Sequence, residues 1–220
     1  MMKFSSRLNW NLTPNPLTQL LESKRAQGIP ILDLTESNPT RARFTYDDAA
    51  ILSAMAQPQA MKYEPSPRGL LSAREAITNY YLQKNKRVDA DSIFLTASTS
   101  EAYSFLFKLL GDAGDEILVP QPSYPLFEFL AGLESLKTIH YPLRYTQDPS
   151  GFIHSASLRD ASRNPKGLDE GWQINFEVLR ESISEKTKAI VIVNPNNPTG
   201  NYVKKDELEK LNALCVGRKI

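Results

Sequence analysis

Asparagines and prolines directly follow an apolar run near the end of the chain. The run covers residues 189–193, and residues 194–200 are Asn-Pro-Asn-Asn-Pro-Thr-Gly. Ligands of open parallel sheets bind beyond the carboxyl ends of the strands, where asparagine amides can donate hydrogen bonds to a ligand oxygen. The two prolines stiffen the loop that carries those amides. We interpret this segment as part of a ligand site; the alternative is a turn that binds nothing.

Small hydroxyl residues occupy a second predicted junction between a strand and a helix. Residues 96–102 are Thr-Ala-Ser-Thr-Ser-Glu-Ala, and Ser98 and Glu101 have the spacing of a capping box. Free backbone N–H groups at a helix N-terminus, together with small hydroxyl residues, favour an anion, so this junction is a candidate phosphate site. Capping boxes are common, and one without a ligand is an equally open interpretation.

Two tyrosines lie in segments rich in proline. Tyr124 belongs to Pro-Gln-Pro-Ser-Tyr-Pro at 120–125, where its ring could stack on a flat cofactor or pack the start of its own helix. Tyr63 begins Tyr-Glu-Pro-Ser-Pro-Arg-Gly-Leu at 63–70, and a buried tyrosine with a satisfied hydroxyl is its simpler interpretation.

In this order, the segments resemble the class I and II aminotransferases, which share the fold type I architecture of enzymes dependent on pyridoxal 5′-phosphate (PLP). The resemblance implies that Asn197 hydrogen-bonds the phenolic oxygen of PLP and lies beside the substrate carboxylate. Such a bond favours the ionised oxygen. It also implies that Ser98, Thr99 and Ser100 form the phosphate-binding turn, where the family often has Gly in place of Ser98. Tyr124 would stack on the pyridine ring.

Two further residues are assigned through the resemblance alone. Tyr63 matches a tyrosine that reaches the partner's phosphate site across a dimer interface, so a homodimer is expected. Ser37, in Leu-Thr-Glu-Ser-Asn-Pro-Thr at 34–40, matches a loop that lies over the substrate carboxylate and often carries Gly at this position. The implied substrates are an amino acid and a 2-oxo acid, between which the amino group moves.

Alternating helices and strands must position these segments. Hydrophobic spacing predicts a helix that begins at Pro16 and further helices over 46–55, 70–84, 99–110, 124–133, 176–183 and 205–215. The predicted strands cover 31–34, 93–95, 116–119, 137–141 and 189–193, the last one buried on both faces. This alternation predicts an α/β fold with parallel βαβ units.

The resemblance also implies a domain organisation. Residues 1–45 would form an N-terminal arm and part of the small domain. Residues 46–220 would form an incomplete PLP-binding large domain, in which a mainly parallel sheet lies between helices. The polar stretch 146–171 is too long for an ordinary connection and is predicted to be a surface insertion.

The lysine that PLP chemistry needs is not recognisable in this sequence. In the family the Schiff-base lysine, the acid that pairs with the pyridinium nitrogen and the arginine for the substrate carboxylate all follow the Asn-Pro motif. Lys62, Lys108 and Lys137 do not lie in the serine-rich context of the family lysine. We therefore assign no catalytic residue and expect a chain cut short before the lysine and inactive as it stands.

Composition argues against several other classes of protein. The net charge is +1 and the basic residues are scattered, which disfavours nucleic-acid binding. A single cysteine, Cys215, and two histidines give little support for a metal site. The single cysteine can form no disulfide within the chain, which suits a reducing compartment such as the cytoplasm. No apolar run is long enough to span a bilayer.

Two alternative functions remain open at this point. The same architecture supports decarboxylases, C–S lyases and aminocyclopropane-carboxylate synthases, which would release their products without a 2-oxo acid acceptor. A non-catalytic PLP-fold module would bind the cofactor weakly and reversibly.

Overall fold

The structure, a computed structural model, describes residues 4–8, 10–35, 38–42, 44–146, 171–218 and 220. The chain divides into two compact units, one made of Met1–Asn9 with Ala97–Ile220 and one made of Trp10–Thr96. The predicted domain boundary after residue 45 stays a prediction. In the described ranges the α-helices are α1 (Pro16–Ala26), α2 (Asp48–Met55), α3 (Leu71–Gln83), α4 (Thr99–Leu110), α5 (Phe127–Leu133), α6 (Phe176–Ser182) and α7 (Lys205–Arg218).

A sheet forms the centre of the larger unit. Its described strands are β1 (Glu116–Gln121), β2 (Lys137–Thr146), β3 (Gly171–Ile174) and β4 (Thr187–Ile190), and they lie in the order β3-β2-β1-β4. β1 pairs in parallel with both β2 and β4, whereas β3 pairs antiparallel with β2. The carboxyl ends of β1, β2 and β4 therefore point to the same edge of the sheet.

Both faces of this sheet are covered by helices. Side chains alternate along β1, so Ile117 and Val119 face one side and Leu118 faces the other. On the first side they pack with buried residues of α4 and α5 and their neighbours, namely Phe107, Phe127, Ala131, Leu136 and Val191. On the second side the cluster continues with Tyr141, Leu143, Ile174, Leu179, Ile183 and Leu211. The α/β prediction is confirmed.

The smaller unit begins as the sequence predicts. Pro16 is the first residue of α1, and Asn15 Oδ1 accepts a hydrogen bond from Thr18 N at 2.8 Å.

Arg74 of α3 is only 7% exposed. It donates to Ala90 O at 2.6 Å, which fixes α3 against the short helix Ala90–Ser92.

The strands predicted over 31–34 and 93–95 are wrong, because neither segment takes part in a described ladder. A strand needs a neighbour to pair its backbone groups, and apolar content alone does not supply one. Leu95 N instead donates to Arg68 O at 3.0 Å. Gly69 lies so close to this segment that a Cβ there would be 2.6 Å from Leu95 Cβ.

The last predicted strand is shorter and more exposed than its sequence indicates. The ladder covers only Thr187–Ile190, although Val191 N still donates to Leu118 O at 2.8 Å. Ile192 is 37% exposed. Both faces of the predicted strand are nevertheless covered, because Ala189, Val191 and Val193 pack with the first cluster and Ile190 packs with the second.

Both ends of the predicted insertion belong to the sheet. β2 extends through Thr146, and β3, which the sequence did not predict, begins at Gly171. The rings of Tyr145 and Trp172 meet across this antiparallel pair with their centroids 5.6 Å apart. The rest of the predicted insertion, 147–170, lies outside the described residues. No helix in the described ranges has the length and apolar character needed to cross a membrane.

Candidate functional site

The loop after β4 is closed by its own hydrogen bonds. Asn194 Oδ1 accepts from Val203 N at 3.0 Å, and Asn196 N donates to Asn201 O at 2.8 Å. Gly200 N donates to Asn196 O at 2.7 Å, with Gly200 in the left-handed region at φ +72°. Glycine is the residue that adopts this conformation without strain. The loop is thus a defined turn.

The two central asparagines of this loop have different environments. Asn196 is 5% exposed, and its Nδ2 donates to Thr199 Oγ1 at 2.7 Å and to Pro122 O at 3.1 Å. Asn197 is exposed, and no hydrogen bond of its side chain is present within the described part of the chain. The buried asparagine therefore anchors the loop, and the exposed one is available to a ligand.

The bond to Pro122 joins this loop to the one that follows β1. That second loop carries Tyr124, which is half-buried and packs edge-on against Phe127 with ring centroids 5.8 Å apart. Tyr124 also lines a cleft of about 400 Å³ that is bordered by residues 119–125 and by the paired His140 and Glu128. Tyr124 thus packs at the start of its helix and also borders open space, and its stacking on a cofactor stays a prediction.

The start of α4 has the features of an anion site. Ser98 is the N-cap, and its Oγ accepts from Glu101 N at 3.2 Å. Glu101 Oε2 accepts from Ala97 N, one residue before the N-cap, at 2.6 Å. Ser98 and Glu101 therefore both contribute side-chain acceptors at this helix start, as the predicted capping box requires. The first-turn amides of Thr99 and Ser100 have no acceptor within the helix. Together with the helix dipole, they favour a negative group.

An aromatic cluster connects α4 to the Tyr124 loop. The Tyr103 ring lies 5.0 Å from the Phe127 ring, and Phe127 also contacts Tyr124. Burial raises the pKa of Tyr103 above its usual value. Helix α4, through Tyr103, the loop of Tyr124 and Val193 just before the Asn-Pro motif therefore contribute to one core cluster.

Comparison with known proteins identifies the family of this chain. The profile of the family "Aminotransferase class I and II" matches residues 29–220. The chain belongs to the class I and II aminotransferases. Alanine aminotransferase of Mycobacterium bovis is 34% identical over 188 residues, which are 84% of this chain and 38% of that protein.

Other relatives give the same result. The glutamate-pyruvate aminotransferase AlaA of Escherichia coli K12 is 32% identical over 196 residues, which are 87% of this chain and 42% of that protein. The solved structure of alanine aminotransferase from Pyrococcus furiosus superposes with a TM-score of 0.76 at 26% identity, covering 99% of this chain and 50% of that one. This aminotransferase chain thus spans two fifths to half of the length of these relatives.

The remaining residues that the sequence analysis considered belong to other parts of the chain. Tyr63 belongs to the smaller unit and is 90% exposed, which rules out the buried-tyrosine interpretation. Ser37 lies outside the described residues. Of the lysines considered as substitutes, Lys108 pairs with Glu134 at 2.6 Å, and Lys62 and Lys137 are exposed.

Sequence reasoning missed a buried carboxylate beside the aminotransferase motif. Glu207 of α7 is 4% exposed, and its two oxygens accept from Ile174 N at 2.7 Å and from Lys204 N at 3.0 Å. These bonds fasten the segment that follows the motif to β3. A glutamate at the third position of a helix was the available signal.

Tyr141 is a second buried polar residue that the sequence did not point to. Its hydroxyl donates to Val191 O at 2.7 Å, just before the Asn-Pro motif. Burial, and secondly the charge of Glu207, raise the pKa of Tyr141 far above its usual value. Tyr141 therefore remains a neutral donor. Within the described residues, no group of three or more His, Cys, Asp or Glu side chains could hold a metal ion.

Proposed function

We propose that this chain is the cofactor-positioning part of a PLP-dependent aminotransferase, which moves an amino group between an amino acid and a 2-oxo acid. The observation that carries the proposal is the hydrogen bond from Asn196 Nδ2 to Pro122 O. It brings the loop of Asn197 to the loop of Tyr124, in the unit that also contains the start of α4. Family membership supports the same reaction.

The side chains present fit PLP group by group. PLP is a flat pyridine ring with a phosphate and a phenolic oxygen. The chain offers an aromatic ring at Tyr124, first-turn amides with the hydroxyls of Thr99 and Ser100, and an exposed carboxamide at Asn197. The ring suits the pyridine, the amides and hydroxyls suit the phosphate, and the carboxamide suits the phenolic oxygen.

In this proposal the chain's own residues hold and tune the cofactor. The first turn of α4, from Ser98 to Ser100, holds the phosphate through N–H and O–H donors. Tyr124 restrains the ring by stacking. Asn197 donates to the phenolic oxygen and favours its ionised form. When bound, PLP carries the amino group and withdraws electrons from the carbon to which that group is attached.

Other parts of the proposal depend on the family resemblance. The lysine that bonds the cofactor is expected in sequence that the family places after the Asn-Pro motif. Tyr63 is proposed to reach the phosphate site of a second subunit in a homodimer, and Ser37 to lie over the substrate carboxylate. The cytoplasm is the proposed location.

The test is an amino-transfer assay on the gene product that carries this chain, supplied with PLP. Alanine and 2-oxoglutarate are the first pair to try, because relatives are named alanine and glutamate-pyruvate aminotransferases. Equal amounts of pyruvate and glutamate, formed more slowly by Asn197→Ala than by the surface control Asn79→Ala, would support the proposal. Turnover of amino acids without any need for a 2-oxo acid acceptor would overturn it.

A further inference from the structure

We propose that Asn196 is a positioning residue, which fixes Asn197 relative to Tyr124 by bonding the two loops to each other. The inference rests on the proposed function, because its consequence is measured on a cofactor-like ligand. It concerns a residue that does not itself reach the ligand, since Asn196 is 95% buried whereas its neighbour Asn197 is exposed.

Both donor hydrogens of the Asn196 amide are used. One bond goes to Pro122 O at 3.1 Å in the other loop, and one goes to Thr199 Oγ1 at 2.7 Å in its own loop. Thr199 Oγ1 is in turn bonded to Asn201 Oδ1. A residue that can donate twice is therefore required at this position, and few side chains of similar size can do so.

The backbone of Asn196 is equally constrained. Its N–H donates to Asn201 O at 2.8 Å, and its carbonyl oxygen accepts from Gly200 N at 2.7 Å. With both main-chain groups and the amide fixed, the adjacent Asn197 has little freedom to move independently. Since Tyr124 follows Pro122 by two residues, one contact sets the relative position of both ligand-facing residues.

The Asn196 side-chain amide is paired through its donor hydrogens and not through its oxygen. Asn196 Oδ1 is buried and has no hydrogen-bond partner in the described part of the chain, and Ser123 Oγ is in the same condition. An unpaired buried polar atom costs about 1–3 kcal/mol. A side chain that served packing alone would avoid this cost, whereas a side chain that must donate twice carries the oxygen with it.

The experiment is a double-mutant cycle in the gene product that carries this chain, with pyridoxamine 5′-phosphate as the probe. This compound has the ring, phenol and phosphate of PLP but no aldehyde, so it does not modify surface lysines. Dissociation constants are measured for the wild type, for Asn196→Asp and Asn197→Ala, and for the double variant. Asp keeps the size of Asn but in its ionised form lacks both donor hydrogens. Asn196→Ala, which adds no buried charge, is the second variant and should give the same pattern of binding.

The effect of Asn196→Asp on probe binding should depend strongly on whether Asn197 is present. Asn196→Asp should weaken probe binding about tenfold in the wild-type background and less than about twofold when Asn197 is already Ala, because contacts that act as a unit are not additive. Equal weakening in both backgrounds would overturn the positioning role. So would a lower melting temperature with an unchanged dissociation constant, which is what a merely structural residue would give.

Hydrogen exchange of the ligand-free protein tests the contact between the two loops independently of cofactor binding. Hydrogen exchange should accelerate in Asn196→Asp at amides of both loops, 121–127 and 194–201, and remain as in the wild type for Asn79→Ala. Faster exchange in the 194–201 loop alone would overturn the inference. Faster exchange in both loops of a chain whose wild type does not bind the probe would support the loop contact and overturn the proposed function.

Discussion

Asn196 Nδ2 lies 3.1 Å from the carbonyl oxygen of Pro122, a residue 74 positions earlier in the chain. The two residues meet because β4 pairs in parallel with β1, so the loops at their carboxyl ends leave the sheet side by side. Two segments that carry candidate ligand-binding side chains thereby lie side by side. The central claim, that these segments form a PLP-binding site, depends on this proximity.

Asn197→Ala should weaken the binding of pyridoxamine 5′-phosphate about tenfold. The reason is the loss of one hydrogen bond to an ionised oxygen, worth about 1.5 kcal/mol. Isothermal titration of the purified chain gives the dissociation constant. Asn79→Ala, an exposed asparagine of α3, is the control and should bind as the wild type does. Equal affinities for Asn197→Ala and the control would remove Asn197 from the site.

Thr99→Val and Ser100→Ala should affect only ligands that carry a phosphate. Both variants keep the backbone amides of α4 but remove a hydroxyl donor, so we expect a loss of about threefold to tenfold for each. The matched measurement is the binding of pyridoxamine, which lacks the phosphate and should be insensitive to these changes. A similar loss for both ligands would place the phosphate elsewhere.

Glu207→Ala should destabilise the chain by about 3 kcal/mol. It leaves the amides of Ile174 and Lys204 without their acceptors, and an unpaired buried donor costs about 1–3 kcal/mol. Glu207→Gln keeps one acceptor oxygen and should lose less. Urea unfolding followed by circular dichroism measures the difference. Glu209→Ala, exposed on the same helix, should change the unfolding free energy by less than about 0.5 kcal/mol.

Tyr141→Phe should alter how stability depends on alkaline pH. Below about pH 10 the phenol is neutral in both the folded and unfolded states, and the variant loses only a hydrogen bond of about 1 kcal/mol. The folded-state pKa of Tyr141 is raised by burial, so at higher pH only the unfolded chain ionises there and wild-type stability falls.

The corresponding measurement is the unfolding free energy at neutral pH and near pH 11. The wild type should lose more stability over this interval than Tyr141→Phe. Tyr145→Phe, half exposed on the same strand, should behave as the wild type does. An identical decline for Tyr141→Phe and the wild type would mean that Tyr141 titrates normally.

Features set by neighbours in sequence were predictable, and features set by distant partners were not. Asn15 and Ser98 cap helices because a side-chain oxygen meets an amide three residues later, which local spacing encodes. Helix α4 has the predicted bounds. The strand predicted over 93–95 failed because a ladder needs a partner from elsewhere.

Within the candidate site, too, local motifs were predictable and contacts between distant residues were not. Asn197, Tyr124 and the α4 turn could be recognised as motifs, each beside its own strand or helix. The bond from Asn196 to Pro122 spans 74 residues and the bond from Ile174 to Glu207 spans 33, so neither leaves a local pattern. Whether Tyr124 would pack or face a ligand also depended on the position of Phe127 in the folded chain.

The most direct test of the central claim is saturation-transfer NMR with pyridoxamine 5′-phosphate and the purified chain, because this method detects weak binding. We predict that saturation reaches the pyridine ring in the presence of the wild type and is largely lost with the folded double variant Tyr124→Ala Asn197→Ala. Equal transfer for the two chains, or none for the folded wild type, would contradict the assignment of these loops as a PLP site.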